Sequence, residues 1–169
     1  MTSTIERTHT GGRASASIAA KLDALASPTT HVFHNIAVGP VDCAIDHLIV
    51  APSGVYAVDT WHYPGRHVTV EDYAMHVGDA YSPALRNAKF QAERTASLLE
   101  HETGLDVPVR GCVVLLTGAR TPHVTYASRP IGVSLLTKRD VPRWFLGQSP
   151  VLTQGEVTAI VWAARRSLT

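Results

Sequence analysis

The sequence predicts an α/β layered sandwich around a mixed sheet. Three observations carry this expectation. A meander of short β-rich runs fills residues 31–77. A long amphipathic helix follows it from Pro83. Beyond that helix, Val109–Thr117 reads VRGCVVLLT, almost wholly apolar, as a central strand covered on both faces does. The chain has 169 residues, 45% of them hydrophobic and 17% charged. That composition excludes a disordered chain, and the length fits one domain burying about 70% of its unfolded surface. Residues 1–13, rich in Thr, Ser and Gly, read as a flexible tail ahead of a single domain over residues 14–169.

The elements follow in order. From Ala14 to Leu25 the pattern is helical, with Ile18, Leu22 and Leu25 on one face, and Ser27-Pro28 ends it. His31–Val38 is a strand. Ala44–Ala51 (AIDHLIVA) and Val55–Thr60 (VYAVDT) are two more, joined by Pro52-Ser53-Gly54 into a hairpin. His67–Glu71 is a fourth strand, extended through Tyr73–Val77. Ser82 caps the long helix, in which Leu85, Ala88, Ala92, Ala96 and Leu99 line one face before Gly104 ends it. After the apolar strand come a strand at Ile131–Leu136, a short helix at Asp140–Leu146 and a last helix capped by Thr153.

Charge and cysteine content narrow the function. Fifteen basic and 14 acidic residues give a net charge of +1, so no general basic coat for nucleic acid exists, although a local patch is compatible with it. Cys43 and Cys112 sit in apolar stretches and read as buried free thiols rather than a disulfide framework. The N-terminus has no apolar core of a secretory signal and no run reaches a membrane span, so the expectation is a cytoplasmic protein without membrane contact. Nine histidines show no zinc-ligand spacing, and no glycine-rich phosphate loop precedes a helix, so neither zinc nor a nucleotide cofactor is expected.

Two acids sit where the hydrophobic pattern does not want them. Asp46 interrupts AIDHLIVA and Asp59 interrupts VYAVDT. Antiparallel pairing around the Pro52–Gly54 turn brings both to one end of the hairpin. A charge beside a core strand is costly unless it is paired or bound to metal. Two carboxylates at one sheet end form a hard oxygen site suited to Mg²⁺. The alternative reading is local: Asp46 caps the preceding loop and Asp59 begins the following turn.

The stretch Ile45-Asp46-His47-Leu48-Ile49-Val50-Ala51-Pro52-Ser53-Gly54-Val55-Tyr56-Ala57-Val58-Asp59-Thr60 closely resembles the nuclease-related domain, or NERD, family of the PD-(D/E)xK restriction-endonuclease-like superfamily. The resemblance extends from about Ala14 to about Leu146. It implies a restriction-endonuclease-like α/β/α sandwich with an αβββαβ core, metal-dependent cleavage of nucleic acid and a bacterial DNA-processing context. It also implies that Asp46 is the metal-binding Asp and Asp59 the acid of the (D/E)xK triplet, both as catalytic Mg²⁺ ligands. Gln91 matches the glutamine of the following helix, with Asn87 as a substitute for it.

The pattern breaks at two places. The triplet is Asp59-Thr60-Trp61, with Trp61 where the family has lysine. The first helix carries Ala14-Ser15 where the family has Gly-Glu. The lysine would activate water and stabilise the developing phosphorane charge, and a tryptophan with one N–H and no charge cannot do so. Only three lysines exist to replace it: Lys21 on the first helix, Lys138 late near a loop, and Lys89. Lys89 alone is positioned near the carboxylates, either as a displaced catalytic lysine or as a snorkelling side chain at the edge of a helix face. The segment Trp61–His67, with His62 and Arg66, is either a base-stacking, phosphate-gripping loop for DNA or a packed hairpin connection. Two functions follow: a nuclease-related domain with a degenerate site and weak Mg²⁺-dependent cleavage, or an inactive pseudo-nuclease that binds nucleic acid or a protein.

Overall fold

The computed structural model describes residues 13–39, 44–63, 65–116 and 123–168, with side chains from residue 16 onward. Most of the expected tail, Cys43 and the side chain of Ser15 lie outside the described residues. Along the chain run α1 (Arg13–Asp23), β1 (His31–Ala37), β2 (Ala44–Ala51), β3 (Gly54–His62), β4 (His67–Glu71), β5 (Ala74–Val77) and β6 (Ala80–Ser82). Then come α2 (Ala84–Thr103), β7 (Val109–Leu116), β8 (His123–Tyr126), β9 (Val133–Thr137), α3 (Val141–Leu146) and α4 (Gln154–Ser167).

A five-stranded sheet in the order β1-β2-β3-β7-β9 forms the centre. Its β1, β2 and β3 form an antiparallel meander. Strands β7 and β9 then add parallel to β3. Helices α1 and α3 cover one face, where Ile18, Leu22 and Phe145 pack on Tyr56, Val58, Cys112 and Val114. Helices α2 and α4 cover the other, where Ala92, Leu99, Val157 and Ile160 pack on Leu48, Val50, Val55 and Ala57. The expected layers and the αβββαβ core are therefore present. The apolar β7 lies between β3 and β9, under a helix on each face, which accounts for its composition.

A second, four-stranded sheet in the order β6-β5-β4-β8 departs from the single sheet expected. Instead of extending β4, residues 74–77 fold back antiparallel to it as β5, past a turn in which Asp72 has φ 43°. Strand β8 was not anticipated and pairs parallel with β4. Four residues without a buried face give no periodic signal. This sheet packs Val68, Val70 and Met75 against Leu85 and Ala88 of α2 and against Trp61 of β3.

The helix ends differ in how well local chemistry foretold them. Thr153 accepts from the Glu156 N–H while Glu156 accepts from the Thr153 N–H, a capping box. Gly104 ends α2 at φ 69°. Ser82, in contrast, is not the N-cap residue of α2, although its Oγ accepts the Ala84 N–H at 3.3 Å. Pro83 holds that position without a side-chain cap, and Ser82 ends β6 with its Oγ 2.7 Å from the Tyr63 hydroxyl. Strand β3 also continues past Thr60 to His62, two residues further than expected.

Helix α2 rests directly on β7 at Gly111, where an added Cβ would lie 2.7 Å from the Ala88 carbonyl oxygen. Gly111→Ala is expected to cost about 1–3 kcal/mol by overpacking, read as a lower denaturant midpoint. Gly155→Ala on α4, where an added Cβ meets nothing within 4 Å, should hold or raise stability by up to about 1 kcal/mol. Equal midpoints for the two variants would contradict this seating of α2.

Candidate functional site

The β2–β3 ladder runs from the Ala51↔Gly54 pair to His47↔Val58 and stops there. The next positions across the hairpin are Asp46 and Asp59. On the other side of β2 the β1 register also skips Asp46, opposite Asn35, which has φ 54°. The strand is thus disturbed on both sides of Asp46. Its side chain takes over part of the ladder. Asp46 Oδ2 accepts the Thr60 N–H at 2.7 Å and also the Thr60 hydroxyl. A short carboxylate satisfies a backbone donor that a straight strand would have paired.

Asp59 is 1% exposed. On β3 the odd positions Val55 and Ala57 face α2 and α4, and Trp61 faces α2 and the second sheet. Alternation therefore puts Asp59 on the α2 face, whereas Thr60 shares the α1 and α3 face with Tyr56 and Val58. Gln91, on the buried face of α2, donates from Nε2 to the Ala44 carbonyl at 3.0 Å. It therefore reaches the start of β2, two residues from Asp46.

The remaining expected residues fall elsewhere. Trp61, at the position where the resemblance implies a lysine, is 2% exposed and stacks on Tyr63 with centroids 6.0 Å apart inside the core. Its ring is a core group, so the expectation that it stacks a nucleic-acid base is corrected. His62 ends β3 and is half-buried, and Arg66 is exposed beyond it. Lys89 is exposed; its Nζ lies 5.3 Å from the Tyr73 ring centroid and 4.0 Å from Glu93, on the side of the second sheet. Cys112 is buried, and burial pushes its thiol up to about 12, which makes it a packing group rather than a nucleophile.

One arrangement escaped the sequence reading. His47, beside Asp46, is 3% exposed and its Nδ1 lies 2.7 Å from His34 Nδ1. His34 Nε2 lies 2.9 Å from Asp23 Oδ1 on α1. A carboxylate only accepts, so His34 donates to Asp23 through Nε2 and accepts at Nδ1 from the His47 Nδ1–H. His47 Nε2 is then left with its lone pair, buried and without a hydrogen-bond partner. A proton there would have no acceptor. Desolvation, outweighing the attraction of Asp46, lowers the His47 pKa to about 4. The signal was the cross-strand register His34↔His47, which linear spacing does not show.

Among the described residues no group of three His, Cys, Asp or Glu side chains is placed to hold a metal ion. The set offered by the hairpin end is two carboxylates, one of them already accepting from Thr60. A model of the nuclease-related domain family matches residues 10–116 of the chain. No curated protein and no solved structure matches it.

The His47 geometry fixes a pH dependence. The folded pKa of about 4 lies below the ordinary 6.5, so the unfolded chain binds this proton first. The contribution is present in full above pH 6.5, is lost as the pH falls toward 4 and changes no further below it. The loss should be about 3 kcal/mol at most. Chemical denaturation between pH 7 and 4 checks it, with His47→Leu expected to flatten that part of the profile.

Proposed function

The chain belongs to the nuclease-related domain family, and on that premise we propose that it engages DNA as a nuclease-like domain whose degenerate site cleaves weakly at most. The observation that carries this is Trp61. The third position of the Asp59-Thr60-Trp61 triplet faces the same side as Asp59, and there the fold places a buried indole. Trp61 brings one N–H donor and no charge. It neither activates water nor meets the charge of a pentacoordinate phosphate.

Asp46 and Asp59 are the residues that would hold Mg²⁺. The fit is thin: Mg²⁺ accepts one or two carboxylates with substrate phosphates and water completing its shell, but Asp46 bonds to the Thr60 hydroxyl on the α1 and α3 face while Asp59 lies on the α2 face, so a shared ion requires one carboxylate to turn. Bound there, the ion supplies neutralisation of phosphate charge. The chain's own residues do the rest. The Thr60 N–H and hydroxyl orient the Asp46 carboxylate. Gln91 fixes the start of β2 through Ala44 and thereby the position of Asp46. His62 and Arg66, at and beyond the end of β3, are the proposed phosphate contacts on this side. Lys89 stays a candidate for assistance only if it leaves Tyr73 and Glu93. A cytoplasmic setting suits both DNA processing and the free thiol of Cys112.

A second reading has its own support. The engagement of Asp46 by Thr60 serves the fold without any metal, and in that reading the domain holds nucleic acid or a protein partner and performs no chemistry. Supercoiled plasmid with Mg²⁺ or Mn²⁺ separates the two. Weak cleavage predicts nicking about 100- to 1,000-fold slower than by a lysine-bearing member of the family assayed beside it, consistent with one lost transition-state donor. It also predicts that Asp46→Ala/Asp59→Ala abolishes the nicking. Nicking at the rate of the lysine-bearing member would contradict the proposal; none at all, with DNA still bound, selects the second reading.

A further inference from the structure

We propose that the groove between β9 and α3 is a docking site for single-stranded nucleic acid, an inference that rests on the nuclease-like reading above and adds a site outside the family-matched region. The net charge of +1 conceals a segregation. Residues 1–116 carry eight Lys and Arg against twelve acids, whereas residues 117–169 carry seven against two. The family-matched part is thus acidic, and the positive charge sits after it. Over residues 123–150 the cations are Arg129, Lys138, Arg139 and Arg143, and the one acid is Asp140, whose carboxylate accepts from the Thr137 hydroxyl.

Of these cations Arg129 lines an apolar groove, and Lys138, Arg139 and Arg143 lie on the β9–α3 segment that forms one side of it. β9 is the edge of the central sheet and β8 the edge of the second. A cavity of about 620 Å³ is lined by Tyr126, Arg129, Leu135, Leu136 and Trp144. Tyr126 is 48% exposed. Trp144 is held edge-to-face by Tyr56 at 5.6 Å and by Phe145 at 4.9 Å, so it forms a fixed wall. Aromatic faces with adjacent cations suit unstacked bases on a phosphate backbone. A duplex keeps its bases stacked and would offer the groove only phosphates.

The strand that lines the groove ends at the same sheet edge as β3. Trp61, Leu115 and Thr137 lie in one row across the parallel strands β3, β7 and β9. Lys138 donates its N–H to the Leu115 carbonyl at 3.3 Å, one step beyond that row, at the level of His62. At about 4.8 Å per strand, Lys138 and His62 are roughly 10 Å apart along the edge where β3, β7 and β9 end. A strand leaving the groove past Lys138 would meet His62 and the end of β3 that carries Asp59. Lys138, late in the sequence, is thereby brought to the same sheet edge as the triplet.

Fluorescence anisotropy with a labelled oligo-dT and a duplex of equal length, across a salt series, tests this. The wild-type chain should bind the single strand more tightly. Tyr126→Ala should weaken that binding about 5- to 100-fold with an unchanged melting temperature. Arg129→Ala and Lys138→Ala should each reduce the log–log salt slope by about 0.7. Nucleic acid bound by the wild type and equally well by Tyr126→Ala and both cation variants would overturn the groove and leave the nuclease-like reading standing. Displacement of oligo-dT by polyglutamate as effectively as by unlabelled oligo-dT would overturn it too, in favour of an acidic polypeptide. No binding of either single strand or duplex would remove both.

Discussion

Side-chain alternation along β3 is the constraint on which the rest of this molecule turns. The strand pairs with β2 as far as Val58 and with β7 from Val55 to His62, and it is buried from Gly54 to Trp61. With a period of two, Val55, Ala57, Asp59 and Trp61 share one face, so the chemistry of the triplet and the packing of the core compete for the same surface. Where α2 and the second sheet close over that face, the third triplet position has become a core position. Burying an unpaired ammonium there would be costly, whereas an indole stacked on Tyr63 adds apolar burial. In the proposed nuclease-like reading, fold stability and phosphoryl-transfer chemistry thus pull the same residue in opposite directions, and the buried indole serves the core.

The end of the β2–β3 hairpin shows the converse. There the strand gives up ladder pairing at Asp46 and satisfies Thr60 with a side chain instead. Helix α2 stabilises that irregular end from above. Its close seating on Gly111 sets its height over the sheet, and Gln91, one turn beyond Ala88, reaches the first carbonyl of β2. The same few residues therefore serve the fold and retain the pair of acids.

Much of this was legible in the sequence because the signals were local and periodic. AIDHLIVA and VYAVDT around Pro52-Ser53-Gly54 specify a hairpin, and the apolar positions of α2 and the continuous run of β7 specify their layers. The two acids stood out because they violate those patterns. The second sheet was only partly legible, since β6 and β8 are short and β5 folds back through a turn at Asp72. The segment Trp61–His67 reads as a loop, but Trp61 and His62 remain in the β3–β7 ladder. The His34–His47 pair needed the register of two strands, and the place of Lys138 needed the parallel order β3-β7-β9. The uneven charge was present in the sequence but cancelled in the total.

In the proposed reading the acids at the β2–β3 end form the cation site of the domain. Paramagnetic broadening reads that location directly. Mn²⁺ titrated into ¹⁵N-labelled protein should broaden first the amide signals of residues 59–61 and the side-chain amide of Gln91, and Asp46→Ala/Asp59→Ala should abolish the effect. Broadening centred elsewhere in the chain, or the same broadening in the double variant, would contradict it.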